Sequence, residues 1–361
     1  MANSTAATGL TAKQWDDKFF TEYFQSSVFA PEFGTSENSI IQVKQDLMKK
    51  RGDTLHFALV NALSGSGVTG SNTLVGNEEA MVSRSFPLTV TQRRNAVVVS
   101  DWDEQKSSID LRNASRSVLM DWAHESTRDQ VIAALASING VAYGTATETQ
   151  KDAWLVDNAD RVLFGAAKSN NAANDHSACL AEIDNTADQL TPAMISLAKR
   201  IALTASPKVR PIRSESTGRR YFIMYANSLS FRDLKEDSTL IAAQRDVSLK
   251  MQNETLFKGG DLEWDGVIIK EVDDIGVLAG VGAGSIQVGP NYLCGAQALG
   301  YGIAKRWNTV TDDTDYEDKK GVAVREMGGI AKIIFGSGSA DTDDTKDHGV
   351  VTVFAAAVAD A

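Results

Sequence analysis

Few residues in this chain are spaced for chemistry. His176 and Cys179 stand three apart, as one half of a zinc site would. Two further ligands with a comparable spacing would be needed, and His56, His124 and His348 are scattered. Gly280-Val281-Gly282-Ala283-Gly284 has the wrong spacing for a dinucleotide loop, and no clear strand and helix flank it. Asp312-Asp313-Thr314-Asp315 and Asp341-Thr342-Asp343-Asp344 are carboxylate clusters without the glycine and final glutamate of a calcium loop. They read as solvated loops, with weak divalent-cation binding as the alternative. Neither a phosphate-cradling G-x-x-x-x-G-K-[ST] nor a G-x-S-x-G nucleophile elbow occurs. The expectation is a protein with no catalytic residue, no cofactor and no metal.

Composition narrows the class further. The chain has 361 residues and is 43% hydrophobic and 23% charged, enough for one large core or two smaller ones. Its net charge of −11 disfavours non-specific binding to nucleic acid or to anionic membrane. Two cysteines, Cys179 and Cys294, make no disulfide framework and fit a reducing compartment. The start, Met1-Ala2-Asn3-Ser4-Thr5, lacks the basic and apolar regions of a signal peptide. Without such a signal, Arg51-Gly52-Asp53 reads as the start of a strand rather than an adhesion motif. No apolar run approaches the roughly 18 residues of a membrane span.

The elements that must carry a function are therefore structural. Residues 1–10 are small and polar. Trp15, Phe19, Phe20, Tyr23 and Phe24 recur at helical spacing, either docked on their own core or buried on an adjacent subunit. Residues 52–100 read as a long β-ribbon. Its first arm carries Leu55, Phe57 and Leu59; its tip is Ser64 to Ser71; its return arm runs from Phe86 to Val99, with Leu88 and, at Pro87, an edge-strand signal. A lone two-stranded ribbon is marginal in water and its open edges invite pairing with other chains, which points to assembly.

After the ribbon, residues 103–138 have an apolar stripe through Ile109, Leu111, Ala114, Val118, Leu119, Trp122, Val131, Ile132, Leu135 and Ile138, closed by Asn139-Gly140. Unbroken, this helix would be about 50 Å long; the charged patch Glu125 to Asp129 could instead split it. Thr191 and Pro192 open a second helix. Ser238 to Phe257 is a third, more polar helical pattern, and Gln297 to Trp307 a short amphipathic segment. Strands are expected at 221–226, 267–269, 331–335 and 350–354. The order of elements is α+β rather than a doubly wound series.

Several segments resemble tailed-bacteriophage major capsid proteins, in particular the group typified by the capsid protein of phage N-four. They are Gly52-Asp53-Thr54, the tip Gly67-Val68-Thr69-Gly70, Leu74-Val75-Gly76-Asn77-Glu78-Glu79, Tyr221-Phe222-Ile223-Met224, Trp264-Asp265-Gly266-Val267-Ile268-Ile269, Gly295-Ala296-Gln297-Ala298 and Gly328-Gly329-Ile330-Ala331-Lys332. The resemblance spans roughly residues 35–355 in the same order. It implies the Hong Kong ninety-seven-type shell fold, with an N-terminal arm at 1–35 and an extended loop at 36–101. A peripheral domain with a spine helix would follow at 102–220, an axial domain at 221–320, and a return to the peripheral domain at 321–361.

The function implied is self-assembly into hexamers and pentamers that close an icosahedral shell around double-stranded DNA, held without sequence-specific binding. The partners implied are copies of the chain itself, a portal and a scaffolding protein; the particle would assemble in the host cytoplasm and persist as the virion capsid. Only about 35 residues precede the ribbon, so the scaffolding protein is expected to be separate. Some members of the fold cross-link through a lysine on the extended loop. Here no lysine lies between Lys50 and Lys106, which leaves non-covalent contacts or a cementing (decoration) protein to strengthen the shell. Leu55, Phe57, Leu59, Phe86 and Leu88, with Trp15, Phe19 and Tyr23, are the expected inter-subunit contacts, and Arg84, Arg93 and Arg94 would set register by charge. Two alternatives stand beside this reading: an encapsulin-like protein nanocompartment shell, and a metal-dependent hydrolase using the aspartate clusters.

Overall fold

Strand burial separates two kinds of sheet in a computed structural model of the chain. It describes residues 29–48, 51–61, 63, 65–106, 111–214, 218–243, 262–316 and 318–359. The aromatic segment with Trp15, Phe19 and Tyr23 lies outside them, as does the helical pattern beyond Ala243. In chain order the elements begin with β1 (Phe33–Gly34), β2 (Ile41–Lys44), β3 (Thr54–Val60), β4 (Ser83–Thr89) and β5 (Thr91–Ser100). Next come α1 (Asp101–Lys106), α2 (Leu111–Ala136), α3 (Glu148–Asn158), β6 (Val162–Phe164), α4 (His176–Ala181) and α5 (Pro192–Thr204). Then follow β7 (Ile212–Arg213), β8 (Arg220–Asn227), α6 (Ser228–Glu236), β9 (Leu262–Trp264), β10 (Val267–Val272) and β11 (Val288–Cys294). The chain closes with β12 (Leu299–Thr314), β13 (Lys319–Lys332), β14 (Ile334–Gly336), β15 (Thr345–Asp347) and β16 (Val350–Ala356).

β11 and β16 are buried at every residue, as strands covered on both faces must be. They sit inside a mixed sheet of order β6-β16-β11-β8-β10-β9, with β7 beside β8. α5 lays Met194, Ile195, Ala198, Ile201 and Ala202 into the core on this sheet. Its start follows from the sequence: the Thr191 hydroxyl accepts from the Met194 N–H, and Pro192 takes a position where no N–H is needed.

The second sheet has the order β1-β2-β12-β13-β5. In β13 burial alternates from Val322 through Gly328, so one face is covered and one is open. α2 covers it. Ser115, Leu119, Ala123, Thr127, Val131 and Leu135 are buried at a spacing of four, with Trp122 edge-on to Trp307 at 5.9 Å. Val118, expected on this stripe, faces solvent. The patch from Glu125 to Asp129 does not split the helix: Glu125 and Asp129 point outward while Thr127 stays on the buried line. At 26 residues α2 is about 39 Å long. Asn139 and Gly140 leave it in the left-handed conformation, with φ of 47° and 82°.

Three expectations need correcting. The return arm is not one strand: β4 pairs with β3, while β5 leaves the ribbon at Val90 and pairs with β13 along its whole length. The segment from Gln297 is not a short amphipathic piece; it becomes the 16-residue β12, the long partner of β13. The strand expected at 331–335 is two strands, interrupted at Ile333, whose N–H donates to Ala298 O at 3.1 Å. Sheet membership brings together elements that are distant in the chain. β6 and α5 pack with β8–β11, the hairpin β12–β13 packs with α2, and β16 lies inside the seven-stranded sheet between β6 and β11. One cluster links the two sheets, with Tyr225 and Tyr292 packed alongside Leu299, Tyr301 and Val131. The architecture is α+β with helices on a mixed and a largely antiparallel sheet.

Candidate assembly interface

The ribbon has a fixed base and a free end. In the base, Leu55 pairs with Leu88 and Phe57 with Phe86 across an antiparallel ladder. Leu55 and Phe57 point inward while His56 and Ala58 point out, the period-two pattern of a half-covered strand. Their cover comes from β12. A Cβ at Gly300 would lie 2.8 Å from the Phe57 ring, and one at Gly302 would lie 2.6 Å from the Leu55 side chain. The two glycines form a slot that only bare backbone leaves open. Ile333 and Phe335 complete the cluster. Lys44 donates to His56 O at 2.8 Å and sits over the Phe57 ring. On the other arm Arg84 donates to Gly338 O at 2.5 Å and pairs with Asp341 at 3.5 Å, and Ser85 donates to the same carboxylate.

This places several expected contact residues. Leu55, Phe57 and Leu88 are buried against their own chain; Leu59 and Phe86 are half-covered by the same cluster. Arg84 is engaged within the chain, and so is Arg93, bonded to Glu326 and to Ser126. Arg94 is exposed on β5. Trp15, Phe19 and Tyr23 fall outside the described residues.

The free end is residues 61–82, where every described position except half-buried Val68 is exposed. The Asn61 N–H donates to Val82 O at 2.9 Å and closes the neck. Beyond it, Leu63, Leu74, Val75 and Met81 stand in solvent, with Val60 and Val82 at the margin. Leu74 is 62% and Val75 79% exposed. A turn at Gly76, whose φ of 87° suits glycine, holds them: the Asn77 N–H donates to Leu74 O at 3.0 Å. Glu78 and Glu79 accept from Gly76 and Gly65. No lysine or arginine occurs between Arg51 and Arg84, so the free end is apolar and acidic. The signal was present in the sequence as large apolar residues set among Gly, Ser and Thr.

A second exposed apolar set lies near the outer strand of the five-stranded sheet: Val98 on β5, Trp102 on α1 and Val118 on α2. Within that sheet β5 pairs on one side only. Arg94 adds an exposed cation to it.

Buried polar groups serve the scaffold. Glu326 lies between Arg93 and the Tyr301 hydroxyl; burial pushes its carboxyl up, against the pull of those two partners. Lys332 and Asp347 form a buried pair at 2.8 Å, with Trp154 Nε1 donating to the same carboxylate at 3.3 Å. His176 is enclosed by Tyr143, Phe164 and Phe354, and burial lowers its pKa. Around it Glu148, Asp152 and Asp175 converge, each already engaged: Asp152 accepts the His176 N–H, Asp175 caps α4, and Glu148 pairs with Lys151. Asp341, Asp343 and Asp344 shape the turn that follows β14, and Asp341 anchors Arg84. The hydrolase alternative gains no support from them.

A family model described as phage capsid protein matches residues 3–359. The chain belongs to the phage capsid protein family. The major capsid protein of Pseudomonas phage KPP25 is 27% identical over 391 residues, 98% of each chain. Among solved structures, the Cyanophage Pam1 capsid asymmetric unit superposes with a TM-score of 0.82 at 32% identity, covering 100% of both chains. The capsid of Ralstonia phage GP4 gives 0.72 at 21% identity, over 93% of this chain and 92% of that one. The fold is the Hong Kong ninety-seven type expected from the resemblance. This capsid protein is a structural component of the virion shell, and its family is not enzymatic. The family match decides between the two shell readings in favour of the phage head.

Proposed function

We propose that this capsid protein closes an icosahedral shell as hexamers and pentamers, with residues 61–82 as the gripping element. The observation that supports this is the set of apolar side chains on that free end, carried by a base locked into its own subunit. Its counterpart on the next subunit is the Val98, Trp102 and Val118 face, where Arg94 meets Glu78 and Glu79 in sign. Each contact is modest, and closed symmetry multiplies it. In this reading residues 1–35 are the arm and β3–β4 the extended loop. The five-stranded sheet with α2 is the peripheral domain, and the seven-stranded sheet with α3–α6 is the axial domain. Assembly takes place in the host cytoplasm with a scaffolding protein and a portal. A decoration protein or non-covalent contacts alone hold the finished shell. A net charge of −11 leaves the enclosed double-stranded DNA loosely held.

Deleting residues 63–81, and with them Leu63, Leu74, Val75 and Met81, tests the gripping role. The variant subunit folds, with an unchanged melting transition, and fails to form closed particles in negative stain. Normal shells from a chain lacking this segment would remove it as the gripping element.

A further inference from the structure

A cavity of about 220 Å³ lies where the last turns of α2 meet the seven-stranded sheet. Ile132, Leu135 and Ile138 form one wall, Tyr292 and Phe354 another, and the loop from Ile275 to Leu278 a third. Tyr143 and Trp154 add aromatic surface. The one charged group on its lining, Lys332, is neutralised by Asp347 at 2.8 Å. Pairing that ammonium leaves Tyr143, Tyr292 and Thr352 as the main polar side chains on the lining. An apolar cavity of about 150 Å³ stays dry and takes up benzene or xenon. This one is larger and opens to solvent past Ala136 and Gly276, and four of its side chains are aromatic rings.

We propose that the cavity is a binding site for a small uncharged aromatic molecule of one or two rings. Offset and edge-on ring contacts favour a flat aromatic over an aliphatic of equal volume. A charged analogue is excluded, because a carboxylate would be desolvated with Lys332 already paired. The occupant would touch α2 on one side and β11 and β16 on the other. It would thereby add to the cluster that links the two sheets, and stabilise the subunit by linkage.

Toluene and naphthalene are the probes, with benzoate as the charged control, on the purified full-length chain. Calorimetry should give saturable binding of toluene at one site per chain, at least tenfold tighter than benzoate. Saturation should raise the melting temperature by about 2 °C. In methyl NMR with labelled isoleucine, the shifts should be confined to Ile132, Ile138 and Ile275. Ala136→Phe, which fills the space from the end of α2, should abolish binding. The isoleucine shifts locate the ligand in the unaltered chain, so the test stands even where that variant does not fold. Non-saturable uptake, equal binding of benzoate, or shifts spread over other isoleucines would overturn the proposal.

Discussion

Replacing Leu74 and Val75 together by serine separates folding from assembly. Both side chains are largely in solvent in the isolated subunit, at 62% and 79% exposure, so the folded state loses almost nothing. Surface changes of this kind stay within about 0.5 kcal/mol. In the shell the same atoms leave water. Full burial of a Leu or Val is worth about 1.5–3 kcal/mol. Scaled by those exposures, the pair contributes about 2–4 kcal/mol to each subunit contact. Ordering the free end on docking subtracts from this, which favours the lower figure. At about 1.4 kcal/mol per tenfold, the concentration threshold for assembly should rise by roughly thirtyfold.

Light scattering against subunit concentration reads that threshold, and a melting curve followed by circular dichroism reads the fold. The expected result is an unchanged melt with a threshold displaced by more than tenfold. The opposing pair, Val98→Ser with Trp102→Ser, should act the same way. Combining both pairs should cost less than the sum of the two, since each removes the other's partner. A threshold within twofold of the parent would show that the exposed set is not part of any contact. A lowered melt would show that the free end packs on its own chain.

Three further outcomes follow from the scaffold. Gly300→Ala puts a methyl carbon 2.8 Å from the Phe57 ring and should cost about 1–3 kcal/mol in chemical unfolding, with part of the loss recovered by adding Phe57→Leu. Burial, with Arg161 and Arg210 adding to it, holds His348 down at about 4, whereas the unfolded chain titrates near its ordinary 6.5. The fold therefore keeps its full stability above about pH 6.5 and loses up to about 3 kcal/mol as pH falls towards 4, a slope that His348→Phe should remove from urea titrations. Lys332→Met leaves Asp347 charged and unpaired in the interior, so it should cost about 3–5 kcal/mol, while Lys332→Met with Asp347→Asn should recover more than half in the same assay.

Local signals in the sequence were reliable where a single residue decides the backbone. Thr191 and Pro192 start α5 as expected, and Asn139-Gly140 turns the chain after α2. The apolar run from Val350 reads as a buried strand and is one. Legibility failed where the deciding partner is distant in sequence. Leu55 and Phe57 declare a covered face, but nothing local says whether their cover is the same molecule or the next. It is Gly300 and Gly302, which in isolation look only like weak strand residues. The same glycines disguise β12. Its first residues are buried on both faces and its far end is polar, so period two never emerges over its length. β5 is hidden for a related reason: strand propensity runs on through Val90, and only the partner β13 reveals that the chain changes sheets.

Fixing the base and freeing the end are two requirements of one task. A gripping element must be aimed, and aim comes from the Gly300–Gly302 slot, the Lys44 bond and the Arg84–Asp341 pair. It must also avoid sticking before assembly. Apolar side chains on a compact exposed face would aggregate, but here they ride on a segment rich in Gly, Ser and Thr that also carries Glu78 and Glu79. Ordering such a segment costs free energy at each contact, so single contacts stay weak and a misplaced subunit can leave. Only when several neighbours engage at once does the sum exceed the loss of freedom. The buried leucine and phenylalanine of the base therefore set the geometry, while the solvent-facing leucine and valine of the free end supply the adhesion. Moving apolar surface from the second group to the first would give a more stable subunit that builds a poorer shell.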